Sequence, residues 1–152
     1  MAFSLLLSAA ILFIACSAST PGSNFSAPGS INSVQVLRVV DGDTLDVLIA
    51  GNKHRVRLFG VDTPERGERC YQEAMDRTLE LSGDSVLLEA GPRKEDKYGR
   101  LLFYLYTQSG ESIDTKLIQE GLATAWTRDG QYRDKLVHEE NQARAKGKGC
   151  LW

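Results

Sequence analysis

The chain has 152 residues, 42% of them hydrophobic and 25% charged, which is enough for one domain with a real core and is ordinary for a globular protein. Its formal net charge of −2 excludes a global electrostatic pull on nucleic acid. Any affinity for phosphate must therefore come from a local basic surface.

The N-terminal region stands apart from the rest. No Lys, Arg, Asp or Glu precedes Arg38. Leu5 to Ile14 is almost wholly apolar, yet shorter than the roughly 20 residues of a membrane-spanning helix. It reads as the hydrophobic part of an export signal over residues 1–16. Phe13-Ile14-Ala15-Cys16 resembles a bacterial lipobox, in which Cys16 would carry lipid and become the new N-terminus. The usual early Lys or Arg is missing, and cleavage near Ala18 or an uncleaved anchor are the alternatives. Residues 17–32 are mainly Ser, Ala, Gly, Pro and Asn, a composition that buries little and suits a flexible tether. The expected organisation is therefore signal (1–16), linker (17–32) and folded domain (33–152). The expected location is outside the cytoplasm, as a cell-envelope lipoprotein or a secreted protein.

Within the domain, Val34 to Val40 is rich in β-branched residues and predicts a strand, and Asp41-Gly42 predicts a turn. Leu45, Val47 and Ile49 alternate with Thr44, Asp46 and Leu48 in a second strand. After Gly51-Asn52, Val56 and Leu58 alternate with Arg55, Arg57 and Phe59 in a third, completing a meander. A helix is predicted from about Cys70 to Leu81, with Tyr71, Ala74, Met75, Thr78 and Leu79 at three-and-four spacing. Val86 to Ala90 and Leu101 to Tyr106 predict two more strands. Ile113, Leu117 and Ile118 predict a short helix ended by Gly121, and Tyr132 to Ala145 a last one with Leu136, Val137 and Ala143 inward. Five short strands with helices after the third and fifth suggest a small α+β barrel of OB type, a fold that often binds nucleic acid.

Three segments concentrate chemistry. Asp41-Gly42-Asp43-Thr44 sits at a strand junction and, taken alone, is a hairpin turn. In Arg57-Leu58-Phe59-Gly60-Val61-Asp62-Thr63-Pro64-Glu65, a strand ends on two acids; alone, Thr63 could cap a helical turn with Glu65 inside it. Asp96-Lys97-Tyr98-Gly99-Arg100 alone is a basic polar turn.

In this order and spacing, the three segments together resemble the staphylococcal nuclease (thermonuclease) family. Gly121-Leu122-Ala123 and Leu151-Trp152 also fit, so the resemblance runs from about Val34 to Trp152. It implies a five-stranded OB-fold barrel with about three helices. It also implies one Ca²⁺, with Mg²⁺ as the alternative, and hydrolysis of DNA and RNA to 3′-phosphate ends. Carried over by motif, Asp43, Asp62 and the Thr63 carbonyl would hold the metal, with Asp41 as a nearby acid. Glu65 would activate water, Arg57 and Arg100 would bind the scissile phosphate, and Lys97 and Tyr98 would contact a terminal phosphate.

The chemistry agrees with these roles. Phosphodiester cleavage builds charge on phosphoryl oxygens, which planar guanidiniums and a divalent cation neutralise. Oxygen donors without imidazole or thiolate suit Ca²⁺ or Mg²⁺, so neither His54 nor His138 has a part. A site that reads only phosphate tolerates either sugar and any sequence. The substrate partners are then DNA and RNA, the only membrane contact is through the N-terminal lipid or signal, and the chain is a monomer.

There are departures from the family pattern. The segment after Glu65 is shorter and less lysine-rich than in the staphylococcal enzyme, and Trp126 stands about where that enzyme has tyrosine. Trp126 either stacks on a base or fills the core. The rival reading is a non-catalytic OB-fold nucleic-acid-binding module; the joint presence of Asp43, Arg57, Asp62, Glu65 and Arg100 argues against it.

Cys70 and Cys150 remain as a pair in a chain read as exported, where a disulfide is the natural state and two buried free thiols the alternative. The lipobox reading is directly testable. Cys16→Ser is expected to move the protein from the membrane fraction to the soluble one; unchanged membrane association would show that Cys16 carries no lipid.

Overall fold

The structure, a computed structural model, describes residues 32–152. The export signal, Cys16 and the linker up to residue 31 lie outside the described residues.

The chain runs through β1 (Asn32–Asp41), β2 (Thr44–Ile49), β3 (Asn52–Leu58), the two-residue β4 (Val61–Asp62) and α1 (Tyr71–Ser82). It continues through β5 (Ser85–Glu95), β6 (Leu101–Tyr106), α2 (Ile113–Gln119), the two-residue β7 (Thr124–Ala125) and α3 (Arg133–Ala145). β1, β2 and β3 form the antiparallel meander that period-two patterning predicts. β3 then pairs in parallel with β6, β6 antiparallel with β5, and β5 returns to β1. The result is a closed barrel in the order β1-β2-β3-β6-β5, an α+β fold with five barrel strands and three helices, as expected. Closure leaves these strands no free edge to pair with another chain.

The barrel core follows the alternation read from sequence. Leu45, Val47, Val56 and Leu58 lose all solvent exposure, each burial stabilising by about 1.5–3 kcal/mol. Two details differ. Asp46, expected on a polar outward face, is fully buried, because long cationic side chains from β1 and β3 fold over it. Phe59, expected beside Arg57, instead turns inward. The strand ends at Leu58, the chain bends, and the Phe59 ring packs against Tyr104 with centroids 5.2 Å apart.

The helices close the ends and flanks. α1 buries Ala74, Thr78 and Ser82 at four-residue spacing, while Leu79 faces outward despite its apolar character. Thr63 does not cap a helix. Residues 63–70 form an irregular loop, and α1 begins only after Cys70, whose φ of 70° lies in the left-handed region. α2 is capped by the Ser112 side chain, which accepts the Thr115 N–H, and buries Ile113, Asp114, Leu117 and Ile118. α3 buries Leu136 and Ala143 with Val137 half-buried, matching the expected inward face.

The C-terminus folds back onto this framework. Leu151 N–H donates to the Gly121 carbonyl at 3.3 Å, and Arg144 lies 4.2 Å from the Trp152 ring centroid. Cys70 and Cys150 are bonded, with Cα atoms 5.7 Å apart at a sequence separation of 80. The bond ties the entry of α1 to the end of the chain. Closing a loop this long in the unfolded state is worth about 4 to 5 kcal/mol in the chain-entropy model, as a ceiling. Cys70→Ser/Cys150→Ser is therefore expected to lower the urea midpoint substantially without changing the fold. Equal midpoints for the variant and the wild type would show that the bond adds no stability.

Candidate active site

The site is built where the β1–β2 turn meets the end of β3. Asp41 and Asp43 flank Gly42, which has to be glycine because of close packing. A Cβ there would lie 2.7 Å from Thr63 Oγ1 and 3.0 Å from Ala74 Cβ. Thr78 Oγ1 on α1 donates to the Gly42 carbonyl at 2.6 Å and clamps the turn from below. Asp43 is nearly buried. Its Oδ1 accepts the Thr44 hydroxyl at 3.0 Å, and its Oδ2 accepts the Thr63 N–H at 3.2 Å. Thr63 is thus held against Asp43 through its own backbone. Asp41 Oδ1 accepts the Asp43 N–H at 3.1 Å.

Arg57, on β3, is almost buried between these acids. Its Nη1 donates to the carbonyls of Leu58 at 2.8 Å and Val61 at 2.9 Å. Nη2 reaches Asp62 Oδ1 at 2.6 Å and Asp43 Oδ2 at 3.2 Å. The two carbonyl bonds fix the plane of the guanidinium. Asp62 is more exposed, which leaves its second oxygen open to the cleft. Burial and the nearby Asp43 charge push the Asp62 carboxyl up, against the pull of Arg57. Asp41 is raised by the same two causes, burial first and Asp43 second.

Arg100 approaches from the β5–β6 turn. Asp96 Oδ2 accepts its Nε at 2.7 Å, and Arg100 Nη1 donates to Thr44 Oγ1 at 3.2 Å. Burial works against ionisation of Asp96, but the Arg100 backbone N–H, the guanidinium and the Tyr98 N–H outweigh it and hold its carboxyl below the usual range. Lys97 and Tyr98 stand at the tip of the same turn, with Lys97 Nζ 4.8 Å from the exposed Tyr98 ring centroid. Glu65 is exposed on the loop after Asp62, and its N–H is held by Glu68 Oε2 at 2.7 Å.

Asp41, Asp43, Arg57, Asp62, Thr63, Glu65, Lys97, Tyr98 and Arg100 all line one open cleft of about 650 Å³. Cys70 and Cys150 lie outside its lining. The cleft also has a wall that the sequence did not reveal, made by Phe59, Arg93, Arg128 and Asp129 with Trp126. Trp126 is half-buried, lining the cleft on one side and packing against the core on the other. Its Nε1 donates to Asp129 Oδ1 at 2.7 Å, and its ring lies under both Arg57 and Arg128. The β4–β7 pair sets this arrangement by placing Asp62 opposite Thr124, two residues before Trp126. No local pattern marks strands of two residues, so nothing in the sequence could have found that wall.

A second feature hidden from the sequence is Asp114. Its fully buried carboxylate accepts the N–H groups of Gly60 at 2.8 Å and Leu105 at 3.1 Å. A Cβ at Gly60 would lie 2.9 Å from Asp114 Oδ1 and 2.4 Å from Leu136 Cδ1, so this corner too requires glycine. Asp114 thereby fixes the bend that carries the chain from Arg57 to Asp62.

The oxygen donors fit a hard divalent cation in their chemistry. Asp43 and Asp62 are carboxylates on one guanidinium, and the Thr63 backbone is held against Asp43. Among the described residues, no three His, Cys, Asp or Glu side chains gather into a metal site by themselves.

A family model described as staphylococcal nuclease homologue matches residues 55–152. The chain belongs to the staphylococcal nuclease family. Thermonuclease of Staphylococcus hyicus is 33% identical over 157 residues, covering 95% of this chain and 92% of that protein. Micrococcal nuclease of Shigella flexneri is 33% identical over 127 residues, 78% of this chain and 72% of its own length. Endonuclease YncB of Bacillus subtilis (strain 168) is 36% identical over 132 residues, 79% of this chain but 61% of that protein. The segment matched by the family model includes Arg57, Asp62, Glu65 and Arg100, and Asp41 and Asp43 lie before it.

Asp114 makes a pH-dependent contribution to this framework. Burial pushes its carboxyl up to about 6 from 3.8, against the Leu105 and Gly60 hydrogen bonds. The folded state then holds this proton more tightly than the unfolded chain does. The stabilisation is full below the ordinary carboxylate value and is lost as pH rises from about 4 to about 6. The stability difference between wild type and Asp114→Ala, measured by denaturant unfolding, is expected to narrow across that window. A difference that widens with rising pH would contradict the sign.

Proposed function

We propose that the chain is a divalent-metal-dependent nuclease that hydrolyses phosphodiester bonds of DNA and RNA without reading sequence, leaving 3′-phosphate ends. One observation carries this reading: Arg57 bonds Asp43 and Asp62, and Arg100 bonds Thr44, whose hydroxyl donates to Asp43, all on the lining of one open cleft large enough for a nucleotide. Cations facing carboxylates suit a metal and a phosphate together, whereas a binding module has no use for acids facing an anionic ligand.

In this scheme Asp43, Asp62 and the Thr63 carbonyl hold Ca²⁺, with Mg²⁺ as the alternative, and Asp41 adds negative charge behind them. The cation, when bound, neutralises the two carboxylates and a phosphoryl oxygen. Arg57 is anchored through Nη1, so its Nε–Nη2 edge, whose Nη2 here bonds Asp62 and Asp43, would stay in place to grip the phosphate once those carboxylates hold a cation. Arg100, held by Asp96, takes the phosphate from the other side. Glu65 removes a proton from water as the water oxygen bonds to phosphorus. The bond from phosphorus to the 5′ oxygen breaks, that oxygen takes a proton from solvent and leaves as a 5′-hydroxyl, and the phosphate stays on the 3′ side. Lys97 and Tyr98, at the cleft rim, meet a terminal phosphate. We place this activity outside the cytoplasm; the Leu5 to Cys16 segment and the bonded Cys70–Cys150 pair support that location.

The tests are digestion of single-stranded DNA, double-stranded DNA and RNA with Ca²⁺, with Mg²⁺ and with chelator, and single-turnover rates of three variants. Arg57→Lys and Arg100→Lys keep the charge but lose the planar fork. Each is expected to lower the rate constant by about 10²-fold or more while binding of an uncleavable nucleotide changes far less. Glu65→Gln is expected to show the same split. Full activity in excess chelator, or near-normal turnover in both arginine variants, would overturn the proposal.

A further inference from the structure

A second cationic cluster lies on the outer surface of the β1-β2-β3 meander, beyond the cleft. Asp46 on β2 is directly opposite Arg55 on β3 and Arg38 on β1. Its carboxylate has no exposure and receives three cations. Arg38 Nε is 2.7 Å from Oδ2, Lys53 Nζ 2.9 Å from Oδ2, and Arg55 Nε 2.8 Å from Oδ1. The three side chains are themselves 59%, 56% and 44% exposed, so the acid is sealed beneath its partners while they face water.

The stoichiometry is the informative part. Arg55 alone can satisfy the carboxylate, because its Nε bonds Oδ1 and its Nη2 bonds Oδ2 at 3.3 Å. A structural ion pair needs no more than that. Arg38 and Lys53 add two positive charges that the fold does not require, in a chain whose overall formal charge is −2. Concentrating surplus cations on one rigid carboxylate makes a fixed site for an anion.

The cluster adjoins the cleft. Asp46 is two residues beyond Thr44, whose hydroxyl bonds Arg100 and Asp43. Arg55 is two residues before Arg57 on the same face of β3. One such step along a strand is about 7 Å, comparable with the separation of successive phosphates in an extended strand of nucleic acid. The Asp46 carboxylate, with a smaller contribution from Asp41 at the cleft, raises the Arg55 guanidinium above its ordinary value.

We propose that Arg38, Lys53 and Arg55, gathered on Asp46, form an accessory phosphate-binding surface that engages a nucleic-acid strand one or more nucleotides beyond the bond cut at Arg57 and Arg100. The inference rests on the nuclease reading for its substrate, since a polyanion passing through the cleft is what brings phosphates to this face. An anionic membrane surface would also attract three cations. The continuity of the cluster with the cleft along β2 and β3 favours nucleic acid.

The test uses Arg38→Gln/Lys53→Gln, which leaves Arg55 to satisfy Asp46 and so spares the fold. Binding of a labelled single-stranded oligonucleotide of about 12 nucleotides, within the usual span of an OB fold, is followed by fluorescence anisotropy in excess chelator across a salt series. Removing two phosphate contacts is expected to flatten the log–log salt slope by about 1.4 and to weaken binding on the order of tenfold near 0.1 M salt. Arg38→Lys/Lys53→Arg is expected to retain the wild-type slope. An unchanged slope in the glutamine variant, or an equal loss in the charge-preserving variant, would overturn the proposal. So would loss of sedimentation with anionic phospholipid vesicles while oligonucleotide binding stayed intact. Cleavage assays with Ca²⁺ on the same proteins keep the two readings apart. Cleavage with an unaffected slope would remove the accessory surface alone, and a charge-dependent slope without cleavage would remove the nuclease reading alone.

Discussion

Asp114 exchanges water for two main-chain N–H groups, those of Gly60 and Leu105, and the geometry of the cleft depends on that exchange. The bend after β3 has to be sharp, because Arg57 and Asp62 are five residues apart and yet meet through their side chains. A side chain at position 60 has no room, and a free N–H there has no solvent to reach. Asp114 supplies the acceptor from the first turn of α2, and the Gly60 carbonyl receives the Trp126 N–H at 2.8 Å. A single corner thus locks α2, β6 and the approach to Trp126 to the strand that carries Arg57. The burial that raises the Asp114 carboxyl is the counterpart of this rigidity.

The cleft shows the opposite electrostatic logic. Asp41, Asp43 and Asp62 crowd together, and Asp43 raises both of its neighbours. Arg57 offsets part of this repulsion, and the Leu58 and Val61 carbonyls hold its Nη1 so that its position does not rest on the acids alone. A guanidinium held in this way does not need to move when its carboxylate partners turn to another cation. Arg100 is anchored separately by Asp96, so the two arginines approach from different strands and are preorganised independently.

β2 joins these regions. Its Thr44 touches the chemistry, and its Asp46, two residues on, organises the outer cations. The same strand sends Leu45, Val47 and Ile49 into the barrel. Functional side chains on one face and core on the other is what a strand provides, and a closed barrel prevents the register from slipping. The disulfide serves a more local need. It fixes the entry to α1 at the end of the irregular loop that carries Thr63 and Glu65.

The sequence by itself determined the elements with local periodicity. Alternation in β1, β2 and β3 and three-and-four spacing in the helices are properties of neighbouring residues, and the five barrel strands and three helices are where those patterns place them. The three charged segments were legible too, because each is contiguous and their order matches the family. Tertiary structure alone decided what covers what. Asp46 reads as an outward residue until Arg38 and Lys53 close over it. Nothing local marks Asp114, in the first turn of α2, as buried; its partner Gly60 is 54 residues away. Trp126 is open in sequence between base stacking and core filling; the pairing of Asp62 with Thr124 sets it at the cleft, packed against the core on its inner side. Burial of a polar group depends on partners brought in from distant segments, and no repeat of two or of 3.6 residues carries that information.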